Sequence, residues 1–293
     1  MLPIACVALL ALSPAAPLAA APSAPTAAVA PPAFPADQKG LDALAARLMD
    51  EWFAKVVARD AAALEAAMLP CFQRVGFAGA HDRAGEIKEI VGLAAAAPKV
   101  SDLVATRVGD ALVVTCLASV EETRDGKKLP AEATPRLGVW MPDADGWKLA
   151  AWASLLQPSP RPAPAAPDFA GDATLNAEGV TFVTRFLGAQ HRKELDAFDA
   201  MLDDGMQVVN FKGQKRKADM AKGAKAATTG APTIADARAT RCGDLTLVTC
   251  TLSMSQKVGW DTLPADPAPF LLVYRGTGDA AKVIALANTN RPK

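Results

Sequence analysis

The chain has 293 residues, with 31 Lys and Arg against 31 Asp and Glu, so its formal net charge is zero. With 51% hydrophobic and 21% charged residues it is neither a disordered chain nor a nucleic-acid coat, and the charge balance argues against a phosphate-binding surface. The length suits two ordinary domains; aromatics are only 5%, Tyr274 is the single tyrosine, and much of the apolar fraction is Ala, which buries little area per residue.

In chain order, residues 1–21 (MLPIACVALLALSPAAPLAA and one further Ala) read as a signal peptide: an apolar run followed by small residues, without a basic start. This predicts a periplasmic or secreted protein. No other stretch is long and apolar enough for a transmembrane helix. Residues 22–37 are a Pro/Ala-rich tether, and 157–167 (QPSPRPAPAAP) form a second Pro-rich stretch, read as an interdomain linker.

The rest of the chain repeats itself. Residues 105–116 read ATRVGDALVVTC and residues 239–250 read ATRCGDLTLVTC, an offset of 134 (239 minus 105). The same offset carries Leu129-Pro130-Ala131 onto Leu263-Pro264-Ala265, Val139-Trp140 onto Val273-Tyr274, and Phe77 and Gly79 onto Phe211 and Gly213. A gapless register this long marks a duplicated domain, with units at 38–156 and 168–293. The units differ in charge, −2 for residues 38–157 and +2 for 168–293.

Within a unit, Leu41, Leu44, Leu48, Trp52 and Val56 recur at helical spacing, as do Val180, Val183, Phe186 and Leu187. Asp60 caps a second helix. Short apolar segments (CFQRVGF and MQVVNF) and a third helix near 83–96 or 216–228 follow. Then the period changes. Gly109 and Gly243 mark tight turns, and each leads into β-branched runs ending in a final hairpin. Helices first and a mostly antiparallel sheet later is an α+β layout.

These residues carry a resemblance. The order helix, helix, short strand, helix, long strands resembles the nuclear transport factor 2-like superfamily, and each unit looks like its SnoaL-like or ketosteroid-isomerase-like members. The features are Ala58-Arg59-Asp60 with Leu64, the Gly79 and Gly213 turns, the Gly-Asp-x-x-x-Val-Thr strand entry, and Asp145-Gly146-Trp147-Lys148-Leu149 before the last strand. The resemblance implies two cone-shaped domains, each a bent sheet wrapped around about three helices with a pocket at the open end. Such domains often dimerise through their sheets, so the tandem copy is expected to form an intramolecular pseudo-dimer.

If the signal is removed, Cys71, Cys116, Cys242 and Cys250 remain. Cys242 and Cys250 can pair only if the Gly243-Asp244 turn folds them together. Cys116 and Cys250 are repeat equivalents and would pair only if the sheets face each other near a pseudo-twofold axis. Cys71 with Cys116 would tie a helix end to the sheet of unit one. The alternative is four buried free thiols.

Candidate ligand-pocket residues are His81 and Arg83, after the Gly79 turn; the repeat pair Arg107 and Arg241; Trp140 and its counterpart Tyr274; and Asn288 at the end of the last strand. Lys212, Lys215, Arg216 and Lys217 form a basic run absent from unit one, a candidate contact with an acidic partner. No His or Cys has a companion at metal-ligand spacing, no cofactor fingerprint is present, and no catalytic set stands out. Without aromatics interleaved in the basic run, nucleic acid is not an expected partner. The expected function is therefore non-enzymatic: binding a small apolar or amphipathic ligand, or scaffolding a cell-envelope protein. The alternative is a SnoaL-like isomerase, cyclase or hydratase using general acid–base chemistry.

Overall fold

The computed structural model describes residues 30–124, 126–156, 158 and 162–292. The expected signal peptide, half of the tether (22–29) and part of the linker lie outside the described residues. Unit one runs α1 (Gln38–Ala58), α2 (Ala61–Ala67), β1 (Met68–Gly76), β2 (Gly79–Asp82), α3 (Arg83–Val91), β3 (Leu93–Ala95), β4 (Lys99–Val108), β5 (Ala111–Ser119), β6 (Glu122–Arg124), β7 (Lys127–Lys128), β8 (Thr134–Asp143) and β9 (Gly146–Ser154). Unit two repeats that order as α4 (Ala173–Arg192), α5 (Leu195–Ala200), β10 (Leu202–Asn210), β11 (Gly213–Arg216), α6 (Lys217–Ala226), β12 (Thr228–Thr229), β13 (Thr233–Cys242), β14 (Leu245–Ser253), β15 (Gln256–Val258), β16 (Asp261–Leu263), β17 (Ala268–Arg275) and β18 (Lys282–Asn288).

Each unit has a six-stranded sheet of the same order, β2-β1-β9-β8-β5-β4 and β11-β10-β18-β17-β14-β13. This is the α+β architecture that the resemblance implies, present twice. The pairing is antiparallel except for β1 with β9 and β10 with β18, which run parallel. Small three-stranded sheets, β3-β6-β7 and β12-β15-β16, complete the units.

Local sequence explains the helix starts and the bends of the sheet. Asp37, Asp60, Asp82 and Asp172 each accept a backbone N–H in the first turn of α1, α2, α3 and α4. Asp102 and Asp236 adopt φ of 51° and 53°, and the β4–β5 and β13–β14 registers shift there. These paired bulges bend the two edge strands alike.

The long strands are buried on both faces, which is why they read as continuous apolar runs. On β5, Leu112, Val114 and Cys116 point to the helices, while Ala111 and Val113 point the other way. The outward faces of the two sheets pack together. Val75, Val113, Leu137, Val139, Ala151 and Ala153 meet Val209, Leu247, Leu271, Val273, Ala285 and Ala287, the same six positions displaced by the repeat offset. Alanines at the centre let the sheets approach closely, so the Ala-rich composition serves an interface.

The polar contacts across this interface recur with the units exchanged. Gln73 Nε2 donates to Thr240 Oγ1 (3.0 Å), and its counterpart Gln207 Nε2 donates to Thr106 Oγ1 (2.9 Å). Thr240 Oγ1 donates to Cys71 O, and Thr106 Oγ1 to Gly205 O. The two units thus form a pseudo-dimer within one chain.

The cysteines pair differently from every bond named in the sequence analysis. Cys71 on β1 is bonded to Cys242 on β13, across the units, with Cα atoms 5.7 Å apart. Cys116 and Cys250 are free and lie in the separate cores of the two units, on the faces turned away from the interface. Burial pushes both thiols up to about 12, so they are unreactive.

The pseudo-symmetric counterpart of the disulfide is Gly205 beside Val108: a Cβ on Gly205 would lie 2.8 Å from Val108 Cγ2. Val108→Cys with Gly205→Cys is expected to form a second inter-unit disulfide without reshaping the backbone. Non-reducing mass analysis should show four fewer free thiols than the reduced double variant, two from the native bond and two from the new one.

Candidate functional site

The interior of unit one contains a cluster of charged side chains around a small cavity of about 50 Å³. One wall is apolar: Trp52, Phe53, Trp152 and Leu156, with ring centroids 5.8 Å apart for Trp52–Trp152 and 5.9 Å for Phe53–Trp152. The opposite wall is Arg74 from β1, Glu86 and Glu89 from α3, Glu122 and Arg124 from β6, and Arg136 from β8. Space of this size holds a few ordered waters or the head of a small molecule.

Arg74 pairs with Glu86 (3.1 Å), both nearly inaccessible, and Arg124 pairs with Glu89. Arg136 is only 3% exposed, and among the described residues it has no carboxylate in ion-pair contact. Its Nη1 donates to Thr134 O, Thr134 Oγ1 and Pro135 O. Burial pushes its guanidinium down to about 10, so it remains charged at neutral pH. The counter-charge that acts on it is Glu122 on the same wall, without direct contact, and a buried cation so weakly offset is costly.

Glu86 is held above the usual carboxyl range, first by burial, with Arg74 pulling the other way. Its folded value exceeds its unfolded value, so its contribution to stability is complete below 4.5 and is lost as pH rises through the folded value. Glu86→Gln is therefore expected to flatten the loss of stability between acid and neutral pH. Urea midpoints measured across that range check it; parallel curves for both proteins would refute the assignment.

His81 on β2 lies next to Arg74 in the ladder. Burial and then Arg74 push its imidazole down, so it is neutral at neutral pH, and neither ring nitrogen has a hydrogen-bond partner among the described residues. Arg74 Nε is likewise unpartnered.

The repeat makes this cluster conspicuous. Adding the offset to Arg74, Glu86, Glu89, Glu122, Arg124 and Arg136 gives Val208, Met220, Gly223, Gln256, Val258 and Phe270. Unit two fills the same interior with an apolar core around Phe186, Phe198, Met206 and Phe270. These six positions in unit one were not singled out from the sequence. The available signal was charge in one copy standing over apolar residues in the other.

Of the pocket candidates read from the sequence, only His81 sits at this cluster. Arg83 opens α3 and pairs with Glu65 on the outside (3.2 Å). Arg107 stacks on the Phe34 ring and donates to Gly109 O, away from the cavity. Trp140 is core packing against Trp152. Arg241 and Tyr274 border a separate open groove in unit two. Asn288 accepts from Asn290 N and closes the turn after β18.

The basic run is partly neutralised by nearby acids. Lys212 pairs with Asp261 (2.6 Å), and Lys217 pairs with Asp204 (2.8 Å) and Asp199 (3.5 Å). Lys215 pairs along the sheet edge with Val208, and Arg216 is the N-cap residue of α6. Folding brings those aspartates to the lysines, Asp261 from as far away as β16, so the run is no uniform cationic rim.

No helix among the described residues is long and apolar enough to cross a membrane. Among them no group of three metal-ligating side chains converges.

No protein-family model matches the chain, and no curated protein does. Among solved structures, the chain is similar to an NTF2-like protein from Cytophaga hutchinsonii, with 18% identity over 39% of this chain and 98% of that one, at a TM-score of 0.36. An NTF2-like protein of unknown function in nutrient uptake from Rhodospirillum rubrum is 20% identical over 37% of this chain and 93% of that one, at a TM-score of 0.34. An NTF2-like protein of unknown function from Pseudomonas putida is 15% identical over 41% of this chain and 88% of that one, at a TM-score of 0.32.

Proposed function

We propose that the protein is an exported binding protein whose first unit holds a small amphipathic molecule with an anionic head, and whose second unit is a fold partner with its interior filled. The observation that carries this reading is Arg136, a buried guanidinium with no carboxylate in direct contact and only the charge of Glu122 to offset it, at a cavity lined by Trp52 and Trp152. An anionic head would neutralise it, and an apolar body would lie against Trp52 and Trp152. The cross-unit disulfide supports export, because such bonds persist in oxidising compartments.

Calorimetric titration with a panel of short-chain carboxylates, alongside native mass spectrometry of the purified protein, tests it. Binding that disappears in Arg136→Phe is expected. A protein that binds no anion of any size, or binds equally well without Arg136, contradicts it.

Glu86 favours a second reading, acid–base catalysis of the isomerase, cyclase or hydratase type. Its carboxyl, held above the usual range at the cavity wall, is in the protonated form suited to a general acid, and Arg74 links it to the neutral imidazole of His81. Incubating the bound ligand in heavy water separates the readings. Deuterium incorporation that depends on Glu86 indicates catalysis, and an unchanged ligand indicates binding alone.

A further inference from the structure

Unit two carries an open groove of about 860 Å³ between α4 and the β17–β18 turn, bordered by Phe182, Arg241, Tyr274 and Ala281. Its purpose is legible from unit one, where the equivalent surface is occupied. There the segment ahead of α1 lays Phe34 against Trp147, with centroids 4.6 Å apart and planes at 77°. The Arg107 guanidinium sits 4.3 Å over the same ring. Pro35 lies against Gly40, so closely that a Cβ there would come within 2.6 Å of it.

The repeat offset carries Arg107, Trp147 and Gly40 onto Arg241, Ala281 and Thr174, and all three border the groove. The segment ahead of α4 takes a different course. Phe169 packs into the interface between the units, and its carbonyl accepts from Arg238 Nε (2.8 Å). Among the described residues no strap fills the groove as Phe34 fills its twin, and Ala281 in place of Trp147 widens it.

We infer that this groove docks an extended, proline-flanked peptide segment of a partner protein, with an aromatic side chain seated as Phe34 is seated in unit one. The ring takes its position against the guanidinium of Arg241 and the stacked Phe182–Tyr274 pair, whose centroids are 4.1 Å apart. The cation and the electron-rich ring face are complementary. Among the described residues the Arg241 side chain is held by an exposed contact to Glu178 at 3.4 Å, which is readily given up. Arg185 stands where unit one has Glu51, but it is tied to Asp279 (2.6 Å) and to the Gly278 carbonyl and lies over the Phe182 ring, so it fixes the lip of the groove and leaves Arg241 to meet the docked ring. A proline-bearing segment loses little entropy on docking in an extended form.

The probe is a labelled synthetic peptide of residues 30–38 (APPAFPADQ), titrated onto the full oxidised protein by fluorescence anisotropy. Saturable binding is expected. The same peptide with Phe34→Ala should bind at least about tenfold more weakly, and so should the wild-type peptide to Arg241→Ala. Ala177→Trp, on the exposed face of α4 inside the groove, should block the site without disturbing the core. Arg136→Phe should bind the peptide unchanged, which separates this site from the cavity of unit one. No binding at millimolar peptide, binding indifferent to the aromatic residue, or binding indifferent to Ala177→Trp would each overturn the inference. The last would place the peptide in the groove of unit one instead.

Discussion

Replacing Arg136 by Phe, the residue at the equivalent position of unit two, is expected to stabilise the protein by about 1–4 kcal/mol and to abolish anion binding. Both effects follow from one fact. The guanidinium is withdrawn from water and is satisfied only by Thr134 and the Pro135 carbonyl. Phe270 shows that the same strand position, within the same sheet order, accepts an aromatic ring that is 1% exposed. A protein that keeps a buried cation offset only at a distance by Glu122, against that alternative, forgoes stability in exchange for a site. Chemical unfolding and calorimetric titration of the same variant check the two halves together. A destabilised variant that binds normally would make Arg136 a structural residue.

Removal of the Cys71–Cys242 bond, by Cys71→Ser with Cys242→Ser, is expected to have the largest destabilising effect. The bond closes a loop with a sequence separation of 171, for which chain entropy alone is worth about 5 kcal/mol. A loss of about 3–5 kcal/mol corresponds to a fall in melting temperature of about 10 °C for a chain of this size. The units should nevertheless stay docked, because the apolar faces between the sheets are untouched. Adding Val108→Cys and Gly205→Cys to this variant should restore most of the loss, since the new bond ties the same strand pair with the units exchanged. Thermal unfolding with and without reductant measures both steps. A variant without the native bond that melts like the wild type would show that the interface alone fixes the arrangement.

Much of the fold is legible in single residues. Asp60 and Asp82 cap helices through their own side chains, so local chemistry suffices to place those starts. Gly109 and Gly243, each with φ of 58°, hold turns that the Gly-Asp pairs predict. The parallel pairing of β1 with β9 is not legible, because it joins residues about 80 apart, such as Val75 and Ala153, and leaves no local signature. The doubly buried strands also hide which of their faces is core and which is interface.

The site was legible only in part. His81 stood out as one of two histidines in the chain. Arg74, Glu86 and Arg136 look like ordinary surface charges along their own segments. They converge only when β1, α3 and β8 close around one interior. The disulfide behaved the same way: no spacing along the chain favours Cys71 with Cys242, and the docking of the two sheets brings them together.

The sequence by itself determined that this protein is one fold written twice, because a gapless offset of 134 residues carries the Gly-Asp turns and the strand entries of one unit onto those of the other. Tertiary structure alone decided what each copy is used for. Burial is a property of the assembled sheet and helices, and only burial separates a solvated Arg from one that must find a counter-charge. The same packing left the interior of unit two closed and its outer groove open.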